Sequence, residues 1–386
     1  TKKRMQEIAL SPEELERYSR HIRIPEFNNE GQKKLKAAKV LVVGAGGLGS
    51  PLLLYLAAAG VGTIGIVDFD VVDISNLQRQ VLFNVDDVGK AKAAAAKGYL
   101  LRLNPYINII TYNEPLSKKN AMQIIENYDV VADGTDNFPT RYLVNDACVF
   151  AGIPNVYASI FQFKGQVSVF NYQHGPNYRD VFPEPPPQGT VPSCAEGGVL
   201  GVLPGIIGSM QASEVIKIIT GIGEPLNGRL FTFDALHFTT QIFKIYKDKN
   251  NPLTGEQPTI KELIDYEQFC GGNKNPTPDK IQEITVQELK QMQDNATDFQ
   301  LIDVREPEEY KQANLGGMLI PLSKIMEHIG KIHRNKKVII HCKSGARSLQ
   351  AIQVLQANGF SNLYNLKGGI IAYANEIDNR LKVYFA

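Results

Sequence analysis

Lys39-Val-Leu-Val-Val-Gly44-Ala-Gly46-Gly47-Leu-Gly49-Ser50 reads as a buried strand that runs into G-x-G-x-x-G and then into a helix. Gly44 permits the tight turn, and Gly46, with Gly47 beside it, lets backbone N–H groups approach a phosphate. Gly49 allows the helix to pack closely on its strand. The next strand ends in Asp68-Phe69-Asp70, and Asp68, nineteen residues beyond Gly49, is placed to accept ribose hydroxyls.

Outward from this unit, apolar strand-like runs alternate with helix-like segments from Lys39 to about Tyr246, the pattern of a parallel α/β sheet. The runs cover residues 40–43, 63–67, 107–111, 129–132 and 166–171. Ahead of them, residues 1–35 read as a charged helical segment, with Ser11 able to cap and Pro12 suited to a first turn. Residues 181–193 hold Pro183, Pro185, Pro186, Pro187 and Pro192. No helix or central strand tolerates that spacing, so a long extended surface loop is expected. Residues 248–280, rich in Asn, Lys, Pro and Gly, read as a linker. A second α/β pattern fills residues 281–386, with strands at 301–304 and 338–341 and a helix at 346–358 stopped by Gly359. The expectation is two α/β domains, 1–247 and 281–386.

The 386 residues include 41 Lys+Arg and 40 Asp+Glu, a net charge of +1. No bulk field therefore draws in nucleic acid or an anionic membrane. Residues 1–10 lack the apolar stretch of a signal peptide, and the most apolar runs are short and broken by Gly or Pro, unlike a membrane span. The four cysteines, Cys148, Cys194, Cys270 and Cys342, lie far apart with no C-x-x-C, which argues against a disulfide framework and points to the cytoplasm. Cys148 sits in an apolar helix-like run and reads as core. Cys270, in the linker, carries no assigned role.

A glycine turn of this kind serves NAD in dehydrogenases, and that reading is the default alternative. Downstream residues favour ATP. Ser75-Asn76-Leu77-Gln78-Arg79-Gln80 places an amide and a guanidinium just after the carboxylate strand, and Gly89-Lys90-Ala91-Lys92 opens a helix soon after. Arg and Lys converging on a mononucleotide suit the β and γ phosphates and the charge that develops at the α phosphate. Asp133-Gly134-Thr135-Asp136-Asn137 follows another buried strand, at whose C-terminal edge open α/β sheets bind ligands. Asp136 is the candidate magnesium ligand, since Mg²⁺ on nucleotides takes few carboxylates beside phosphate oxygens.

Together with Arg17-Tyr18-Ser19-Arg20 and Cys194-Ala195-Glu196-Gly197-Gly198, these motifs resemble the MoeB/ThiF family over about residues 8–247. Members are bacterial relatives of ubiquitin-activating enzymes. The resemblance implies a Rossmann-like ATP-binding domain with a mostly parallel sheet. It implies an ATP-dependent adenylyltransferase acting on the C-terminal Gly-Gly of a ubiquitin-like sulfur carrier protein of the MoaD/ThiS kind, in molybdopterin, thiamine or a related sulfur-cofactor pathway. By motif match, Gly46, Asp68, Asn76, Arg79, Lys92 and Asp136 bind or activate ATP·Mg²⁺. A homodimer is implied as well, in which Arg20 reaches the partner subunit's nucleotide. Many relatives hold a structural zinc with two C-x-x-C pairs. The matching positions here are Asn177 and Asp180, and Asn251 and Thr254; none is a thiol, so no zinc is expected. The family also places a cysteine at the position of Cys194, where it handles the activated carrier in sulfur-transferring members. From the residues alone, a reactive loop thiol and a silent one stay open.

Val338-Ile-Ile-His341-Cys342-Lys343-Ser344-Gly345-Ala346-Arg347-Ser348 reads as a strand, a six-residue loop and a helix. Successive backbone N–H groups in such a loop form an anion nest around the sulfur, to which the helix N-terminus and Arg347 add. A Cys-dependent phosphatase would have a longer loop than the four residues found here between Cys342 and Arg347. The narrower cradle suits a single sulfur atom. With Leu301-Ile-Asp303-Val-Arg305-Glu-Pro-Glu-Glu-Tyr310 and Leu366-Lys-Gly368-Gly369, this half resembles a rhodanese domain over about residues 281–384, departing from it at Asn314-Leu-Gly316-Gly317-Met318. The resemblance implies that Cys342 carries a persulfide, charged by a donor such as a cysteine desulfurase. The two halves then form one pathway of adenylation and sulfur transfer, with Cys194 as candidate resolving thiol. The rival from another class is a non-catalytic scaffold that only docks carriers.

Overall fold

The computed structural model describes residues 8–186, 197–270 and 281–381. The chain divides into two compact units, Thr1–Asn273 and Lys274–Ala386. Among the described residues no helix is long and apolar enough to cross a membrane.

The first unit is built on β1 (Lys39–Val43), β2 (Thr63–Val67), β3 (Asn108–Tyr112), β4 (Val130–Asp133), β5 (Asn155–Phe161), β6 (Lys164–Phe170), β7 (Arg229–Asp234) and β8 (Thr239–Lys244). They form one sheet in the order β3-β2-β1-β4-β5-β6-β7-β8. Pairing is parallel from β3 to β5 and antiparallel from β5 to β8. Side chains of β1 alternate between two apolar cores: Val40 and Val42 pack with Leu52 and Leu56, Leu41 and Val43 with Val131 and Ala147. Both faces of the strand are covered, which is why it reads as a continuous apolar run. From β1 the chain moves to β2 and β3 on one side, then returns to β4 on the other. Strand order reverses between β1 and β4, and the crevice beyond their C-terminal ends is the natural ligand position in such a sheet.

The helices are α1 (Pro12–Arg17), α2 (Ser19–Ile22), α3 (Asn28–Ala37), α4 (Gly49–Ala59), α5 (Lys92–Leu103), α6 (Ala121–Ile125), α7 (Phe138–Ala151), α8 (Leu203–Thr220) and α9 (Tyr266–Phe269). Ser11 caps α1 in a reciprocal box with Glu14. The helical segment is broken at Tyr18 and over residues 23–27. The expected strand at 63–67 matches its observed bounds, four others lie one or two residues from theirs, and β5, β7 and β8 escaped the periodicity reading. The exposure of β8 along its whole length explains its weak signal. Of the proline-rich loop, residues 181–186 are described and contain neither helix nor strand. Residues 187–196, including Cys194, lie outside the described residues.

The linker reading needs correction. Residues 251–270 pack on the first unit, where Leu253, Leu263 and Tyr266 are buried and Tyr266 Oη donates to Asp146 at 2.9 Å. Composition hid these apolar anchors among Asn, Pro and Lys residues that satisfy backbone groups in turns. The same segment supplies half of a polar clasp. Asn177 Nδ2 donates to Thr254 Oγ1 at 3.0 Å, and Asn251 Nδ2 donates to Asp180 Oδ1 at 2.7 Å. All four positions that match zinc ligands in relatives are thus brought together and joined by hydrogen bonds. Among the described residues, no group of three or more His, Cys, Asp or Glu side chains is arranged to hold a metal ion.

The second unit contains β9 (Gln282–Ile284), α10 (Val286–Asp294), β10 (Phe299–Asp303), α11 (Pro307–Gln312), β11 (Met318–Leu319), β12 (Lys337–His341), α12 (Ala346–Ala357), β13 (Leu363–Leu366) and α13 (Gly369–Glu376). Its sheet is parallel throughout, in the order β11-β10-β12-β13-β9. The central β12, with Val338, Ile339 and Ile340 fully buried, delivers Cys342 to its C-terminal end. Within the departing stretch at residues 314–318, Gly317 packs closely on β10, where a Cβ would meet Leu301 Cγ at 2.9 Å.

Candidate functional site

In the first unit, one pocket lies at the C-terminal ends of β1, β2 and β4. It is lined by Gly44, Gly46, Gly47, Asp68, Arg79, Lys92 and Asp136, so most of the residues singled out in the sequence converge there. Gly44 adopts φ +93°, open to glycine at little cost. Gly49 lies behind the wall, where a Cβ would come within 2.0 Å of the Gly44 carbonyl oxygen. Asn76, Lys90 and Arg20 do not line this pocket. Asn76 closes a reciprocal box with Asp73, Lys90 pairs with Asp87 at 3.2 Å, and Arg20 is exposed on α2.

Asp68 is nearly buried and both carboxylate oxygens are in use. Oδ2 accepts the Ala45 N–H at 2.7 Å and Oδ1 the Asp70 N–H at 2.9 Å. Burial pushes its carboxyl up, against the pull of these two N–H groups and of Lys92. Each oxygen keeps a second lone pair for a ligand hydroxyl. Lys92 opens α5 and its Nζ pairs with Asp70 Oδ2 at 3.0 Å, while its N–H donates to the Asp70 carbonyl at 2.9 Å. The pair ties the loop after β2 to the start of α5. Arg79 donates through Nη1 to the Ser75 carbonyl at 3.1 Å, which orients the guanidinium at the pocket.

The loop after β4 separates its two carboxylates. Asp133 is fully buried and accepts the Thr135 N–H at 2.9 Å and the Thr135 hydroxyl at 2.6 Å. Asp136 is exposed on the pocket wall. Beneath them lies Arg141, which sequence reasoning missed. Its Nη2 donates to the Thr135 carbonyl at 3.0 Å, and its guanidinium sits 5.2 Å from the Tyr157 ring centroid and 5.7 Å from that of Phe138. Burial pushes the Asp133 carboxyl up, and Arg141 is the first of the groups opposing that shift. A cation in the first turn of α7 opposes the helix dipole, and that is the one sequence signal that Arg141 has a dedicated partner. Gln80 was also missed. It is buried in the same wall with no protein partner for its Oε1.

In the second unit, Cys342 is buried and its Sγ accepts the Gly345 N–H at 3.2 Å and faces the Ser348 hydroxyl at 3.5 Å. Gly345, at φ +108°, turns the loop into α12. The Ser348 proton has two other acceptors, Asn365 Oδ1 at 2.7 Å and the Gly345 carbonyl at 3.0 Å. The start of α13 braces the loop, with the Ile370 and Ile371 N–H groups donating to the carbonyls of Cys342 and Lys343 at 3.0 and 3.2 Å. Ser344 and Ala346 are exposed on the loop. Arg347, expected to add positive charge at the sulfur, forms a bidentate pair with Glu309 at 2.7 Å for each bond, and its electrostatic interaction with Cys342 comes after those with Glu309. The remaining described thiols have no such cradle. Burial raises Cys148 far above the ordinary thiol range and pushes Cys270 up to about 11, which disfavours the thiolate at both.

Comparisons with known proteins agree with this division. Residues 18–254 match the ThiF family, and residues 285–376 match the rhodanese-like domain. The chain is 49% identical to a probable adenylyltransferase/sulfurtransferase MoeZ of Mycobacterium tuberculosis, over 97% of each protein. It is 51% identical to a sulfur carrier protein adenylyltransferase of Thermus thermophilus, over 67% of this chain and 97% of that one. A crystal structure of E. coli MccB with ATP superposes with a TM-score of 0.54 at 25% identity, over 62% of this chain and 74% of the other.

Proposed function

This chain belongs to the ThiF family and carries a rhodanese-like domain, and on that premise we propose that it adenylates a sulfur carrier protein and then sulfurates it. The observation that carries the reading is the convergence of the glycine turn, Asp68, Arg79, Lys92 and Asp136 on one pocket. ATP binds there, with the ribose hydroxyls on Asp68 and the phosphates over Gly44, Gly46 and Gly47. A carboxylate oxygen of the carrier's terminal glycine attacks the α-phosphorus, and the bond to the β-phosphate breaks. Pyrophosphate leaves and an acyl adenylate remains. Arg79 and Lys92 take up the charge that shifts toward the leaving group, and no protein nucleophile is required. The exposed Asp136 would hold a magnesium ion, which when bound would neutralise phosphate charge. By family match Asn76 is assigned to the nucleotide, which requires its side chain to leave the box with Asp73 when ATP binds, and Arg20 reaches across a homodimer to the partner subunit's nucleotide.

Sulfur comes from a persulfide on Cys342, loaded by a protein donor such as a cysteine desulfurase. Its outer sulfur attacks the acyl carbonyl and AMP leaves, giving an acyl disulfide. Cys194 attacks the Cys342 Sγ, releases the carrier as a thiocarboxylate and leaves a Cys194–Cys342 disulfide for cellular thiols to reduce. The product serves a sulfur-containing cofactor such as molybdopterin or thiamine, in the cytoplasm. Carrier-dependent exchange of labelled pyrophosphate into ATP tests the division of labour. It is lost in Asp136→Ala and kept in Cys342→Ala; equal loss in both refutes it.

A further inference from the structure

In a loop that cradles an anion, the guanidinium at its end is the group that would neutralise a multiply charged guest. Here that group is already paired with a carboxylate. Arg347 Nη1 and Nη2 each reach one oxygen of Glu309 at 2.7 Å, and both side chains are about three-quarters buried, at 27% and 28% exposure. Glu309 Oε2 also accepts the Glu306 N–H at 3.0 Å, so the carboxylate is fixed in the first turn of α11. Arg347 holds the Glu309 carboxyl below its ordinary range, so the pair stays fully charged at neutral pH with a net charge of zero. The groups that touch the sulfur, the Gly345 N–H and the Ser348 hydroxyl, are neutral donors. Such a cradle matches the single charge of a persulfide.

We propose that Glu309 sets the donor specificity of the Cys342 loop. By occupying Arg347 it disfavours small oxyanions that carry sulfane sulfur, and it reserves the site for persulfide sulfur delivered by a protein. This rests on the reading of Cys342 as the persulfide carrier. Thiosulfate is the probe for the excluded class. The Cys342 thiolate attacks its outer sulfur, the S–S bond of thiosulfate breaks, sulfite leaves with the bonding pair, and the persulfide remains on Cys342. The dianion needs a free guanidinium that the persulfide product does not. Lys343, the other cation of the loop, is common to every variant below and leaves the comparison unaffected.

The test uses the full chain and single-turnover persulfide formation, read by mass spectrometry. Glu309→Gln keeps the side-chain volume and frees Arg347. Its KM for thiosulfate falls about tenfold, while its rate with an uncharged peptide persulfide stays within about twofold of wild type. Glu309→Asp keeps the charge and retains the wild-type KM for thiosulfate. An unchanged or raised thiosulfate KM in Glu309→Gln overturns the proposal, as does a Glu309→Asp that behaves like Glu309→Gln. Sulfate gives a readout that needs no variant: it leaves the alkylation of wild-type Cys342 by iodoacetamide unslowed, and protection at millimolar sulfate overturns the proposal. Failure of wild type to form a persulfide with either donor is a separate result, which removes the carrier reading and this inference with it.

Discussion

Arg141→Met is the perturbation whose cost follows most directly from the first-unit site. The variant loses a charged hydrogen bond to the Thr135 carbonyl, a contact of about 1.5–3 kcal/mol, and stacking on Tyr157 and Phe138, about 0.5–2 kcal/mol. Asp133, fully buried, also loses the cation that opposes its burial. These contributions overlap, and methionine refills part of the space. The net loss is about 3–5 kcal/mol, read by urea unfolding of the full chain with near-UV circular dichroism of the tyrosine cluster. Carrier-dependent pyrophosphate exchange drops about 100-fold, because the Thr135–Asp136 segment is no longer held from below. Adding Asp133→Asn removes the carboxyl whose burial Arg141 opposes while keeping an oxygen for the two Thr135 donors. The double variant is therefore more stable than the sum of the singles by at least about 1 kcal/mol. Strict additivity, or an Arg141→Met enzyme of native stability and exchange rate, would refute the role assigned to this guanidinium.

Ser348→Ala removes the side-chain hydroxyl that faces Cys342 Sγ, and the rate of Cys342 alkylation by iodoacetamide at neutral pH falls about 3–10-fold; an unchanged rate counts against the hydroxyl's role. His341 is fully buried, its two ring nitrogens have no hydrogen-bond partner among the described residues, and burial lowers its pKa from the ordinary 6.5 against the pull of Asp303, 3.7 Å away. The unfolded chain therefore binds a proton on acidification that the folded chain resists. Stability present above pH 6.5 is lost as pH falls, by up to about 1.4 kcal/mol per unit, and His341→Leu flattens this slope in hydrogen exchange of β12. Chelator dialysis leaves the unfolding midpoint of the first unit unchanged. Asn251→Leu lowers its stability by about 2–4 kcal/mol, because the Leu253 and Thr254 N–H groups lose their side-chain acceptor and Asp180 loses one of its donors.

The parts of the molecule legible in the sequence are those whose chemistry is local. The turn from Gly44 to Gly49 and the loop from Cys342 to Arg347 are contiguous, so spacing alone placed each at the end of a buried strand. Asp68, Arg79, Lys92 and Asp136 were legible because each follows a strand or opens a helix on the same edge of the sheet. What stayed hidden depends on distant partners. Glu309 meets Arg347 across 38 positions, and no local pattern says that the loop cation is already neutralised. Arg141 is one more arginine until the fold lays Tyr157 and Thr135 against it. The anchors Leu263 and Tyr266 were masked by a polar composition that elsewhere marks linkers. Asn177 and Asp180 show what they lack as metal ligands, but only the fold shows that Asn251 and Thr254 bond to them.

The central claim is that one chain both activates a carrier and hands it sulfur from Cys342. It is tested most directly by mass spectrometry of a Gly-Gly-terminated carrier incubated with ATP, magnesium, a persulfide donor and either wild-type or Cys342→Ala protein. Wild type converts the terminal carboxylate to a thiocarboxylate, heavier by the difference between sulfur and oxygen. Cys342→Ala still forms the acyl adenylate and pyrophosphate but makes no thiocarboxylate. Thiocarboxylate formed by Cys342→Ala at the wild-type rate would contradict the account.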